Sequence, residues 1–312
     1  MPETAQVHID VALTNVSVGY ANAAFIAEQI APPVPVRKQS GKYFIYDAAR
    51  EAFRQTSDQR APGAEANEIG FDISSDSYYC EDHALEAVIP DEERENADPA
   101  IQPDIDHTEF LSEKIALNQE IELAALIYGN ASITNTTLVG DDQWSDPDSD
   151  PIAAVEAQKE AIIEAVQAAP NTLVLPYPVF ARVRTHPAIV DKMKYVQLAA
   201  GTTAQLAALF DVERVLVPRA IKNTAQPGQT PQIDYVWGKN ALLAYVPPRV
   251  GLKQAAFAYS FRWALAPGSV NGHVVETWRE NRRKADMIRV QKYYDMKLIA
   301  PGAAYLWKNA VA

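Results

Sequence analysis

The feature that most constrains this chain is a stretch too thin to fold by itself. Over residues 37–103 the sequence reads as two extended segments, a polar tip and an acidic run. Lys42-Tyr43-Phe44-Ile45-Tyr46 forms the first segment. The second covers residues 68–89, with apolar side chains mostly at every second position: Ile69, Phe71, Ile73, Tyr79, Leu85, Ala87 and Ile89. That is the period of a strand with one buried face. Between the two, residues 50–67 are polar and broken at Pro62-Gly63, a turn signal. A long two-stranded ribbon is at best marginally stable in water. The pattern therefore predicts that the ribbon leans on something else, one candidate being another copy of the same chain.

The rest of the chain supplies ordinary globular material. Residues 1–36 read as an arm ending in Pro32-Pro33-Val34-Pro35, which forbids helix and favours an extended path. After the ribbon, Asp106-His107-Thr108-Glu109 has the form of a capping box. It leads into a helical stripe of Phe110, Leu117, Ile121, Ala124 and Tyr128, flanked by Leu111, Ile115 and Ala125 and stopped at Gly129-Asn130. A helix of about 22 residues makes a rod of roughly 33 Å, suited to a structural spine. Residues 132–273 alternate helices with short buried strands. Predicted helices lie at 152–168, 178–184 and 206–210, and predicted strands at 171–175 and 214–218. A hairpin is predicted from Tyr235-Val236-Trp237-Gly238 and residues 241–246. Extended structure returns at 286–299, where Ile288, Val290, Tyr294, Met296 and Leu298 share a face. The expected class is α+β.

Charge is distributed unevenly. The net formal charge is −12, and residues 81–122 alone hold fourteen acidic residues against Arg94 and Lys114. Residues 279–297 hold seven basic residues against three acidic ones. The two runs are either solvated faces or partners, within a subunit or across an interface, where complementarity sets register. Candidate contact residues in them are Glu92, Glu93, Glu95, Arg279, Arg282, Arg283 and Lys284. Such an acidic chain is a poor duplex binder, and its one basic patch, 279–284, lacks the interleaved aromatics of a single-strand platform.

A search for chemistry finds little. There is no glycine-rich phosphate loop and no nucleophile elbow. His8, His83, His107, His186 and His273 lack metal-ligand spacing. Asp146, Asp148 and Asp150 mimic the start of a calcium loop, but Pro151 and Ala157 occupy positions that need Gly and Glu. His186 precedes Pro187, as a helix-boundary residue would. Cys80 is the only cysteine, so no intrachain disulfide forms, and it reads as a small strand residue. No cofactor, metal or catalytic site is assigned. No apolar run is long enough to span a membrane, and the polar start Met1-Pro2-Glu3-Thr4 is not a signal peptide.

The order of arm, ribbon, long helix, α/β region and returning strand resembles the major capsid protein of tailed bacteriophages, the Hong Kong phage coat fold. Asn171-Thr172-Leu173-Val174-Leu175 followed by His186-Pro187 and Lys194-Tyr195 looks like the family's first apical strand and helix. Phe210-Asp211-Val212-Glu213-Arg214-Val215-Leu216-Val217 resembles its helix-to-strand passage, and Trp237-Gly238-Lys239-Asn240 and the closing residues 303–310 also read like it. The resemblance implies an N-terminal arm at 1–36 and an extended loop at 37–103 lying over a neighbouring subunit. It implies a peripheral domain at 104–131 and 274–312 and an axial domain at 132–273. Ribbon contacts would come from Tyr43, Phe44, Tyr46, Phe53, Arg54, Arg60, Phe71 and Ile73. The protein would be a structural shell component, not an enzyme. Its copies would form pentamers and hexamers of an icosahedral virion assembled in the bacterial cytoplasm and enclosing double-stranded DNA without reading its sequence.

Further partners implied are a portal and, where the shell carries one, a decoration protein, whose presence the sequence does not give; no membrane is involved. Some members carry a long helical scaffolding segment before the ribbon; the roughly 36 residues here are too few, so either the chain is a mature product or, as its start at Met1 favours, a separate scaffolding protein is expected. Some relatives crosslink a lysine to an asparagine; Lys42 lies on the ribbon, but no crosslink is assigned. Two alternatives stay open at this point: an encapsulin-like bacterial compartment of the same fold, and an α/β enzyme using acidic residues and His186.

Overall fold

One strand organises the molecule. In a computed structural model, residues 8–9, 25–45, 58–60, 62–63, 65–66, 68, 74–96, 102–193, 202–226, 228–251 and 256–312 are described. Among them the chain runs β1 (His8–Ile9), α1 (Ala27–Ile30), β2 (Pro33–Val36), β3 (Ser40–Ile45), β4 (Ser74–Tyr79), β5 (Glu81–Pro90), α2 (Asp91–Asn96), α3 (Pro103–Gly129) and β6 (Thr134–Thr137). It continues with α4 (Pro151–Val166), β7 (Thr172–Val174), α5 (Tyr177–Val183), α6 (Pro187–Met193), α7 (Thr203–Leu209), β8 (Arg214–Leu216), β9 (Ile221–Asn223), β10 (Ile233–Tyr235) and β11 (Ala241–Ala244). The last strands are β12 (Ala258–Trp263), β13 (His273–Glu280), β14 (Ala285–Leu298) and β15 (Ala304–Lys308). The 14-residue β14 pairs antiparallel with β13, β5 and β12. Its alternating Ile288, Val290, Tyr294 and Met296 are buried as their period predicts.

This six-stranded sheet is closed at its ends by the arm. β1 pairs with β13, and β2 runs parallel to β12. The prolines suit that edge. Ser260 N–H donates to the Pro32 carbonyl at 3.2 Å and Ala264 N–H to that of Val36 at 3.0 Å. Even-numbered residues of β2 therefore turn their backbone toward β12. Pro33 and Pro35 face outward, where their missing N–H groups leave no donor for a further strand.

A second sheet has the order β6-β15-β11-β7-β8. Its central β11 and β7 are buried at every position, as strands covered on both faces must be. A core of Leu123, Ile127, Val174, Leu242, Phe257, Tyr294, Met296 and Leu306, with Ile26 and Ile30 of the arm, joins both sheets to α3. Another, around Trp144, Ile152, Leu173, Val183, Phe210 and Trp307, fills the region of α4 to α7.

Several expectations need correction. The hairpin predicted from residues 235–246 does not form: β10 pairs with β9, while β11 pairs with β7 and β15. The turn Val236–Lys239 between them redirects the chain between sheets. The expected division at residue 274 does not follow the sheets either. β12 lies in the sheet of β14, and β15 returns to the sheet of β7. The second ribbon segment is two strands, since Cys80 interrupts it; β4 pairs with β3, whereas β5 pairs with β14.

The spine helix is longer than predicted, 27 residues or about 40 Å. It begins at Pro103, not at a capping box. Proline at the first helical position forfeits only an N–H with no intrahelical partner, and Asp104 and Asp106 suit the positive helix end. Of the predicted stripe, Ala124 is buried and Leu117, Ile121 and Tyr128 pack against the core, but Phe110 is 55% exposed; Thr108, Leu111, Ser112, Ile115, Gln119, Glu120, Leu123 and Ile127 are buried as well.

Candidate assembly interface

The base of the ribbon is anchored in the chain's own body. Gly41 faces Tyr78 across the β3–β4 pair, and a Cβ there would lie 2.6 Å from the Tyr78 hydroxyl. With that space free, Tyr78 and Tyr43 both fold onto Phe261 of β12, at ring distances of 4.7 and 5.2 Å. The Tyr43 hydroxyl donates to Asp76 at 3.2 Å. Val34, Val36, Cys80, Tyr259 and Ile299 complete this core. Tyr43, expected as a contact residue between copies, is therefore occupied within its own chain and only 3% exposed. Phe44, one position on, sits on the opposite face and is half-buried. Arg60 is exposed. Tyr46, Phe53, Arg54, Phe71 and Ile73 lie outside the described residues. Cys80 is buried, its thiol pKa pushed up to about 12 by desolvation, which makes it unreactive.

The charged runs meet inside one subunit, but only in part. Because β5 pairs with β14, α2 starts beside the β13–β14 turn, and Asp91 N–H donates to the Lys284 carbonyl at 3.1 Å. Arg279 forks onto both Asp91 oxygens at 2.5 and 2.6 Å. Arg94 bridges Asp286 and, at 2.6 Å, Asp104. Arg289 reaches Glu86 and Glu276 at 3.4 and 3.3 Å. Arg279, one of the candidate contact residues, is thus engaged within its own subunit, and its hydrogen bonds hold the Asp91 carboxyl below its usual pKa. Glu92, Glu93, Glu95, Arg282, Arg283 and Lys284 are exposed and make no ion pair among the described residues.

A third polar group was not foreseen. Glu120, buried on α3, accepts the N–H groups of Ile26 (3.0 Å) and Ala27 (2.7 Å) and the indole N–H of Trp237 (2.5 Å). It caps α1 and fastens the arm to the spine; burial raises its pKa against the pull of these donors. Next to it, Glu28 of the arm meets Arg262 and, at 2.8 Å, Lys292. Lys292 also donates to Gln119 at 2.5 Å. Burial would raise the Glu28 pKa, but the two cations bring it down to about 2. Burial and the Arg262 charge lower Lys292 to about 8. Burial and both cations hold His273 neutral, down to about 3. The one sequence signal for this group is polar residues, Gln119 and Glu120, on the inner side of a long helix.

The residues considered for chemistry have structural positions. His186 is 3% exposed. Its Nε2 donates to the Asp146 carbonyl at 2.8 Å and its Nδ1 accepts from Ala188 N–H at 3.3 Å. With both ring nitrogens engaged, it is not placed as a general base. Asp150 caps α4 through the N–H groups of Ile152 and Ala153, at 3.0 and 3.1 Å, and Asp146 accepts from Asp148 N–H at 2.9 Å. Asp146 and Asp150 thus close a turn and cap a helix. Among the described residues no group of three or more His, Cys, Asp or Glu could hold a metal ion, and no helix is long and apolar enough to cross a membrane.

The architecture combines the base of a ribbon leaving one sheet, a spine helix behind it, and a second α/β layer on the same core. Comparisons make this specific. The chain is 29% identical over 310 residues to the major capsid protein of Pseudomonas phage JBD67, covering 97% of each. It is 29% identical over 303 residues to that of Burkholderia phage BcepMu, covering 96% of this chain and 95% of the relative. A crystal structure of a phage-related protein from Bordetella bronchiseptica matches with TM-score 0.76 at 27% identity, over 97% of each chain. The capsid of cyanophage P-SCSP1u shares the fold with TM-score 0.61 at 9% identity, over 93% of this chain and 89% of that one. No protein-family model matches. The chain has the Hong Kong phage coat fold and is similar along nearly its whole length to the major capsid proteins of two phages.

Proposed function

We propose that this protein is the main shell component of a tailed-phage head, its copies forming the pentamers and hexamers of an icosahedral particle around double-stranded DNA. The observation that carries the reading is correspondence from end to end with two phage major capsid proteins, rather than over one motif. In this reading the region of β6 to β11 is the axial domain, and its rings close by head-to-tail rotation. α3 and the β14 sheet form the peripheral domain, and the ribbon beyond β3 and β4 lies over the next subunit. The ribbon's contacts come from Phe44, Tyr46, Phe53, Arg54, Arg60, Phe71 and Ile73, while Tyr43 anchors its base.

The work of the chain is contact, not catalysis. Its net charge of −12 suits a shell that encloses DNA without gripping it. A scaffolding protein and a portal are the further partners this role calls for, with a decoration protein where the shell carries one. The encapsulin alternative is weaker, since both relatives matched along the whole chain come from phages. Electron microscopy of the expressed protein, with its scaffold where assembly requires one, tests the reading. Closed shells are expected from the full chain, and a folded subunit without shells from a variant lacking residues 50–67. A full-length chain that stays monomeric under all conditions contradicts it.

A further inference from the structure

The helix α2 has no packing reason to exist. Its six residues include no buried one, and isolated helices of this length are unstable in water. It is held by polar contacts instead. Asp91 pairs with Arg279, Arg94 with Asp286 and Asp104, and the Asn96 side chain donates to the Glu92 carbonyl at 2.7 Å. Asp91 and Arg94 stand three positions apart, on one helix face. Those ties therefore fix α2 against β13 and β14 and turn Glu92 and Glu93 away, with Glu95 also exposed. Beside them, the four-residue turn after β13 presents Arg282 and Arg283. Its conformation is fixed by Arg283 N–H donating to the Glu280 carbonyl at 3.1 Å and by a positive φ of 48° at Lys284. One end of the sheet thus carries a rigid acidic group and a rigid basic group, neighbours in space yet not paired with each other.

We propose that these two groups pair between copies, the glutamates of α2 on one subunit meeting Arg282 and Arg283 on the next. This rests on the shell reading above. A surface carrying opposite charges that form no ion pairs among the described residues is complementary to its own repeat, the condition for a contact that propagates by rotation. Arg279 and Asp91 hold the two halves at a fixed spacing, so the contact sets register and steers encounter.

Charge reversal with rescue tests it, using the full chain and its scaffold where one is needed. Glu92→Lys with Glu93→Lys, and separately Arg282→Glu with Arg283→Glu, are each expected to lower the yield of closed particles at least about tenfold, as like charges oppose each other across the contact. Both variants should keep the wild-type thermal midpoint as unassembled subunits. Combining all four substitutions restores complementarity and should recover particles. Glu92→Gln with Glu93→Gln serves as a milder variant, expected to assemble slowly and with less dependence on salt than wild type. Wild-type yields from either reversal, or no recovery in the combined variant, overturn the contact while leaving the shell reading intact. Failure of the wild type itself to form particles removes the shell reading and this contact with it.

Discussion

The arm seat and the charged end of the sheet use the same residue types to opposite effect. At the seat, Glu120 and Lys292 are buried and nearly every donor finds an acceptor within the chain. At the charged end, the Arg279–Asp91 pair is about 40% exposed, and six further charged residues, Glu92, Glu93, Glu95, Arg282, Arg283 and Lys284, form no ion pair among the described residues. A buried charge is costly to leave alone, so its network fixes one arrangement of arm and spine. An exposed charge is cheap to leave alone, and so remains available for another surface.

Removing the seat's centre should have the largest effect. Glu120→Ala strands two arm N–H groups and the Trp237 indole, and is expected to cost about 3 kcal/mol in urea unfolding of the unassembled subunit. A loss below about 1 kcal/mol would remove the distinction between the two regions. Glu28→Gln leaves Arg262 and Lys292 facing each other. Because Glu28 is about half exposed, the expected loss is about 1 to 2 kcal/mol after screening.

Acid should find the same site. His273 is lowered from 6.5 to about 3 and Glu28 from 4.5 to about 2. As pH falls, the unfolded chain therefore binds these protons first, and stability declines progressively from about pH 6.5 downward. The Glu28 contribution is present above pH 4.5 and lost toward 2. A urea midpoint that does not move between neutral pH and pH 3 contradicts this, and Glu28→Gln should flatten the lower part of the curve. The smallest effect belongs to the exposed end, where Asp91→Asn should leave the urea midpoint of the free subunit close to that of the wild type.

Legibility in the sequence followed burial. Thr172-Leu173-Val174 and residues 285–298 are readable as strands because apolar runs and alternation depend on nothing distant. The partner of Ala241–Ala244 is not readable, since Thr172–Val174 and Ala304–Lys308 are remote and equally apolar. The presence of α3 and its stop at Gly129 follow from its composition, but its start at Pro103 and its polar inward positions do not, because Thr108, Ser112, Gln119 and Glu120 are buried among the apolar residues. Tyr43 shows the same limit on the ribbon. Alternation marks it as having one buried side but cannot say that Phe261, over two hundred residues away, supplies the cover.

Amide hydrogen exchange on assembled particles and on dissociated subunits tests the contrast most directly. Assembly should add protection at Ser40–Ile45, Ser74–Tyr79 and Asp91–Asn96 and at the turn of residues 281–284, while Ile26 and Ala27 stay equally protected in both states. New protection at the arm seat, with none at α2 or the β13–β14 turn, would contradict the account.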